Sequence, residues 1–233
     1  MKDLSIVVPF YNEEENAEAV IKDLQHVLEK NKIDYEIIAV NNGSFDKTPM
    51  ILDSLKSRRI RVVVVEKNIG FGYGIIKGLE KSRGIYVGYM WGDNQIPSSA
   101  LVNVFRKLVD EDLDICKIKR TARNYSFFRK LESVAYNRLF LRMFFGKISY
   151  DINGSPKIMK RSIYERLHLK SYDWFIDTEL MVKVRYLGAR LGEVGVVYSK
   201  RNKGKSKVKF YVMIEFIKNL LKLRRQGLKE FMG

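Results

Sequence analysis

The sequence predicts an α/β domain built on a mostly parallel central sheet with helices on both faces. Three observations carry this. Strand-length apolar runs alternate with helix-length amphipathic stretches through residue 118. Turn chemistry such as Asn41-Asn42-Gly43-Ser44 separates them. The 233 residues are 46% hydrophobic, enough for a sizeable core. Strand, helix, strand, helix at this spacing means parallel βαβ units.

Taken in order, residues 4–10 (LSIVVPF) form a short apolar run. Residues 13–30 place Ala17, Val20, Ile21, Leu24, Val27 and Leu28 on one helical stripe. Residues 35–40 are strand-like and 48–56 a short helix. Residues 61–65 (RVVVV) predict a buried strand, 70–82 a helix with a glycine-rich start, and 85–91 another strand. Residues 97–109 predict a helix and 113–118 a fifth strand. Beyond residue 119 Arg, Lys and Phe become dense. There 126–145 is an aromatic-rich amphipathic stretch, 161–167 and 174–187 are helices, and 190–198 is a strand. Residues 208–229 predict a basic amphipathic helix. Its apolar face holds Phe210, Met213, Ile214, Ile217, Leu220 and Leu221, and Lys209, Lys218, Lys222, Arg224 and Arg225 supply its charge. In an open α/β sheet the ligand lies beyond the carboxyl ends of the strands. That selects the loops 9–13, 41–47, 66–74 and 91–97.

Composition narrows the partners. Lys and Arg number 43 against 27 Asp and Glu, a net charge of +16, which calls for an anionic partner. The single Cys116 excludes an internal disulfide and a cysteine zinc site, and suits a reducing compartment. No apolar run has the length of a membrane span. The first residues run straight into a strand, so no signal peptide is expected. A GxGxxG at the first strand–helix turn and a GxxxxGK[ST] loop are both missing, against a dinucleotide-binding domain and a P-loop. No helix-turn-helix, RNA-recognition or zinc-finger signature accompanies the charge, so a nucleic-acid partner is not expected.

The segments VVPFYNEEENAEAVI, YEIIAVNNGSFDKT and EKNIGFGYGIIKGLEKSRGIYVGYMWGDNQIP occur in that order. Together they resemble family 2 glycosyltransferases with the GT-A (nucleotide-diphospho-sugar transferase) fold. Within these the chain looks most like polyprenyl-phosphate, or dolichol-phosphate type, mannosyl- and glucosyltransferases. The spacing of Arg129, Ser133 and Asn137 fits, as do DINGSPKIMKR (151–161), FIDTEL (175–180) and RNKGKSKV (201–208). The resemblance implies a catalytic domain over 1–207, with a nucleotide-sugar half at 1–118 and an acceptor half at 119–207. Residues 208–233 would be a basic membrane-surface helix.

The resemblance also assigns residues. Pro9, Tyr11, Glu13, Asn41, Asn42, Asn68, Gly70 and Asp93 would bind the nucleotide-sugar. Asn41 and Asn42 stand where one or two acids are usual. Asp93 and Gln95 would hold Mg²⁺ or Mn²⁺, which neutralises the leaving diphosphate. The usual motif there is Asp-x-Asp-x-Gln, and Trp91 replaces its first acid. Arg120, Arg123, Arg129, Ser133, Arg201, Ser206 and Lys207 would bind the acceptor phosphate, for which Arg forks are suited. Asp93 and Asp177 would be the catalytic acids. A sugar-hydroxyl acceptor would need a carboxylate such as Asp177 as base, whereas a phosphate is already ionised. Glu13, Asp93 and Asp177 also read as acids near helix starts, and Asn41-Asn42-Gly43 as a plain turn.

The implied reaction is inverting transfer of a hexose from a nucleotide-sugar to a polyprenyl phosphate, on the cytoplasmic face of a membrane, in cell-envelope glycan synthesis. A homo-oligomer or a separate membrane-anchoring subunit is compatible with it. Two amphipathic stretches, 126–145 and 208–231, would hold the chain peripherally on an anionic membrane surface, with about 1 kcal/mol from each cation near the surface. Both helices packing on the domain is the alternative. Three other readings stay open: a family 2 transferase acting on a glycan or lipid-linked sugar, a transferase-like protein that has lost catalysis, and a nucleic-acid-binding protein.

Overall fold

The computed structural model describes residues 3–122, 151–197 and 219. β1 (Leu4–Phe10) and β2 (Tyr35–Asn42) are buried at every position and lie inside the sheet. β3 (Ile60–Val65), β4 (Tyr86–Tyr89), β5 (Ile115–Ala122), β6 (Lys157–Lys160) and β7 (Leu191–Val197) complete it. The strand order is β3-β2-β1-β4-β6-β5-β7. β1 pairs in parallel with β2 and β4, β2 with β3, and β5 with β7. Among the described strands only β6 runs antiparallel, wedged between β4 and β5. The sheet is thus mostly parallel, as expected.

Side chains alternate across a strand, so each inner strand feeds two cores. Leu4, Ile6, Val8 and Phe10 of β1 join Tyr35, Ile37 and Ala39 of β2 on one face. There they meet α1 (Ala17–Lys30) and α4 (Ser99–Asp110) through Val20, Leu24, Leu101 and Phe105. Val7, Ile38 and Val40 point to the other face, towards α3 (Phe71–Glu80) and α6 (Ile176–Tyr186). α5 (Arg161–Leu167) packs on that second side, and the short α2 (Thr48–Ser54) on the first. α3 rides close over the sheet, because a Cβ on Gly78 would lie 2.3 Å from Val7 Cγ1.

Three details differ from the sequence reading. The valine run of β3 is the sheet edge rather than a buried strand, and Val64 is 67% exposed. An apolar run has no feature that tells an edge from a centre. α1 begins at Ala17, since residues 13–16 form a turn closed by Asn16 N–H on Glu13 O at 3.0 Å. β6 was not anticipated: four residues with a lysine at each end are too short for a periodic signal. Residues 126–145 and 208–231 lie outside the described residues, apart from Asn219. That residue is helical, and its Nδ2 donates to Asp173 Oδ2 at 2.8 Å. Among the described residues, no helix is long and apolar enough to cross a membrane.

Candidate active site

Parallel pairing brings the carboxyl ends of β1, β2, β3 and β4 to one edge of the sheet. The loops leaving them are fastened to each other. In the first, Asn12 takes a left-handed φ of 50°. Its N–H donates to Ser44 Oγ at 3.0 Å, and its Oδ1 accepts from Phe45 N–H at 3.0 Å. Glu13 N–H donates to Thr48 Oγ1 at 2.9 Å, and Lys47 N–H to Glu14 Oε2 at 2.9 Å. The second loop is closed by Ser44 N–H on Asn41 Oδ1 at 3.0 Å. Residues 11–14 and 44–48 are therefore tied to each other, with the Tyr11 and Phe45 rings edge to face at 6.2 Å. Glu13 is nearly buried, and its Oε2 accepts from Asn16 Nδ2 at 2.8 Å.

The third loop meets the second. A Cβ on Gly43 would touch Asn68 N at 2.4 Å, and Asn42 Nδ2 donates to Gly70 O at 3.0 Å. Gly70 has a φ of 142°, open only to glycine, and its N–H is bound by Asn68 Oδ1 at 2.9 Å. The glycine cluster at the start of α3 serves close packing. The amides of Gly72 and Tyr73 donate to the carbonyls of Asp173 and Tyr172 at 3.2 and 3.0 Å. Trp174 stacks on Phe71 at 4.5 Å. The loop before α6 thus covers the amino end of α3. A surface groove of about 560 Å³ between α2 and β3 includes Asn41 alone among the expected site residues.

The fourth loop closes against the first. Gly92 lies where a Cβ would be 2.6 Å from the Phe10 ring. Asp93 follows, half-buried, with Oδ1 accepting from Gln95 N–H at 3.3 Å. The Trp91 ring faces the Arg120 guanidinium, 5.8 Å from its centroid, within cation–π range. Among the described residues no group of three or more His, Cys, Asp or Glu is placed to hold a metal. The protein's own carboxylate here is Asp93. One carboxylate plus substrate phosphate oxygens is a normal Mg²⁺ shell, so the donor set fits a cation shared with a diphosphate.

The residues expected to bind an acceptor phosphate divide into two groups. Arg120 Nε donates to Asp151 Oδ2 at 2.6 Å, its Nη2 bonds Asp151 Oδ1, and both side chains are buried. Its fork is thus directed at a protein carboxylate. Arg123, Arg129, Ser133, Arg201, Ser206 and Lys207 lie outside the described residues. Asp177, in the first turn of α6, is 2% exposed. Its Oδ1 accepts from Tyr89 Oη at 2.5 Å and pairs with Lys157 Nζ. Burial, and then the Asp177 charge, push the Tyr89 hydroxyl well above its ordinary pKa. Burial lowers the Lys157 ammonium to about 8, although Asp177 opposes the shift. Lys117 is buried too, on Glu193 Oε1 at 2.9 Å and near the Asp151 carbonyl, and burial lowers its pKa. Sequence reasoning missed Tyr89, Asp151, Lys117 and Lys157. The available signal was Lys117 inside the apolar run Ile-Cys-Lys-Ile; Lys157, at the start of the four-residue β6, carried none.

A doubly covered, mostly parallel sheet with loops gathered at its carboxyl edge is the architecture of the GT-A fold, and likeness to known proteins gives its class. Residues 5–168 match Glycosyl transferase family 2, and the chain belongs to that family. It is 28% identical over 233 residues to the uncharacterized glycosyltransferase YkcC of Bacillus subtilis (strain 168), across 97% of this chain and 68% of that protein. Two solved structures share the fold. Mannosyl-3-phosphoglycerate synthase from Rubrobacter xylanophilus superposes with a TM-score of 0.75 at 13% identity, over 97% of this chain and 74% of its own. Glucosyl-3-phosphoglycerate synthase from Mycobacterium tuberculosis, in complex with Mn²⁺, uridine diphosphate and glucosyl-3-phosphoglycerate, gives 0.69 at 20% identity, over 95% and 79%.

Proposed function

We propose that this family 2 transferase moves a hexose, with inversion, from a nucleotide-sugar to a polyprenyl phosphate at the cytoplasmic face of a membrane. Charge segregation carries the acceptor half of the reading. Residues 1–122 hold 18 basic and 18 acidic residues, and residues 123–233 hold 25 and 9. The donor half is neutral, and the whole surplus follows it, where an anionic acceptor and an anionic surface would be met.

An acceptor phosphate oxygen attacks the anomeric carbon as the bond from that carbon to the diphosphate oxygen breaks. The nucleoside diphosphate departs. Pro9, Tyr11, Glu13, Asn41, Asn42, Asn68 and Gly70 seat the donor. Asp93 and Gln95 would hold the divalent cation, which supplies neutralisation of the leaving group. Rate comes from positioning and from electrostatics at that group. Burial of both Asp177 and Glu179 favours an acceptor that needs no strong base. A small phosphorylated acceptor is the second reading, because the two fold neighbours are named as glucosyl- and mannosyl-3-phosphoglycerate synthases. The test is purified protein with a panel of nucleotide-sugars, offered polyprenyl phosphate or 3-phosphoglycerate, with product read by mass spectrometry. Product on the lipid alone supports the proposal, and product on phosphoglycerate alone rejects it.

Two further outcomes are expected. Arg129→Ala and Arg201→Ala should raise the acceptor KM or lower kcat while nucleotide affinity stays within a few-fold. Loss of nucleotide binding with normal acceptor use would move both residues to the donor side. The intact chain should float with anionic vesicles at low salt and less so at high salt, as charge on amphipathic helices requires. Protein left in the soluble fraction under all conditions would assign those helices to the domain or to a second subunit.

A further inference from the structure

We infer that Asp177, Lys157 and Tyr89 form a positioning unit for the diphosphate loop 91–95, with Asp177 acting on that loop through Tyr89 rather than on a substrate. The inference rests on the family-level reading that this loop meets the donor, and not on the identity of the acceptor.

Tyr89 is the last residue of β4, two before Trp91 and four before Asp93. It is held at three points. Its hydroxyl donates to Asp177. Its ring lies 5.4 Å from the Nζ of Lys157, the residue opposite it in the β4–β6 register. Its carbonyl accepts from Ser155 Oγ at 3.5 Å. Met90 N–H then donates to Val7 O at 3.0 Å, and the chain leaves the sheet. On the far side, Trp91 faces the guanidinium that Asp151 grips. The loop therefore starts between two buried ion pairs drawn from β6, α6, β5 and the segment before β6.

A buried ion pair gains little over apolar packing, so what it supplies here is a fixed geometry. Asp177 spends one oxygen on both partners, which makes it the hinge pin joining α6 to β4. Small errors in the placing of a reacting group are costly in rate. The groups facing Lys157 are Asp177 of α6, Tyr89 of β4, Lys117 of β5 and Asp151. Lys157 loses its charge as pH rises through about 8, and the pin then weakens on the alkaline side.

The experiment uses the full chain carrying Trp174→Phe, which leaves Trp91 as its one tryptophan and keeps an aromatic ring on Phe71. Trp91 emission and nucleotide binding need no acceptor, so they read the loop even if the proposed acceptor is wrong. Tyr89→Phe is expected to shift Trp91 emission and to lower kcat by about tenfold to a hundredfold, with nucleotide Kd near the parent's and a lower melting temperature, since a buried carboxylate loses one of its donors. Trp91 emission should also change with pH near 8, and Lys157→Arg should abolish that change and keep kcat constant on the alkaline side. Unchanged emission and unchanged kcat in Tyr89→Phe would overturn the inference. So would loss of turnover in Asp177→Asn while Tyr89→Phe and Lys157→Arg stay fully active, since Asp177 would then act on the acceptor itself. Should Tyr89→Phe fail to fold, the pH response with and without Lys157→Arg decides alone.

Discussion

Replacing Asp93 with alanine is expected to lower kcat by about a hundred- to a thousandfold and to leave the melting temperature where it was. The carboxylate is half-buried in a loop at the open edge of the sheet. Asp93 Oδ1 accepts from Gln95 N–H, but the loop is also attached by contacts that do not use the carboxylate: Gly92 against Phe10, and Met90 N–H on Val7 O. The fold should survive the change. The chemistry should not, because with tryptophan at 91 no second acid of the motif can take over the cation. Excess chelator should reproduce the variant's loss in the native protein, with Mg²⁺ or Mn²⁺ restoring turnover. Full activity in chelator would assign Trp91 to a metal-free mode of leaving-group stabilisation and would remove the role given to Asp93. Asp93→Asn distinguishes charge from size: a ligand role predicts a loss close to that of alanine, and a turn-forming role predicts little loss, since the amide keeps a side-chain acceptor for Gln95 N–H.

The first 118 residues were legible because their signals are local. The apolar run 4–10 is β1 to the residue, and the stripe of α1 is the set that packs on the sheet. Asn41-Asn42-Gly43-Ser44 reads as a turn, but Asn41 and Asn42 are the last two residues of β2 and the chain bends only from Gly43; this is also where loops 1, 2 and 3 are joined. What escaped was non-local. That β3 is an edge depends on which strand pairs with which, and four valines carry no such information. β6 is short and enters the sheet antiparallel through a connection of more than thirty residues from β5. Lys117 and Lys157 are given no role by the sequence, because a sequence shows a charge without its partner. Their partners, Glu193 and Asp177, lie 76 and 20 residues away. Arg120 shows the same limit from the other side: its place in the chain fits a phosphate clamp, and Asp151, 31 residues on, takes its fork.

Glu179→Ala should destabilise the protein by about 3–5 kcal/mol, the usual result of stripping one partner from a buried ion pair. At about 2–4 °C per kcal/mol for a domain of this size, the melting temperature should fall by roughly 6–20 °C. Glu179 lies two residues beyond Asp177 on α6, and both it and Lys183 are wholly buried. Its carboxylate accepts from the amides of Lys170 at 3.0 Å and Ser171 at 2.7 Å and pairs with Lys183 Nζ at 2.9 Å. Lys183 in turn donates to the carbonyls of Leu167 and His168 at 2.8 and 2.9 Å. One acid therefore holds the end of α5, the start of α6 and the segment running to Tyr172 and Asp173. Those two residues supply the carbonyls that cover the amino end of α3. Removing the acid leaves a buried ammonium without its counter-charge and two amides without acceptors. A hydroxyl-acceptor transferase that used Glu179 as its base would behave otherwise. There kcat would collapse in Glu179→Ala and Glu179→Gln alike, with melting temperatures near the parent's. If the residue is structural, Glu179→Gln, which keeps an acceptor for the two amides, should melt between the parent and the alanine variant, and both should turn over substrate below their melting temperatures. Thermal melts read beside kcat at a temperature where every variant is folded separate the two outcomes.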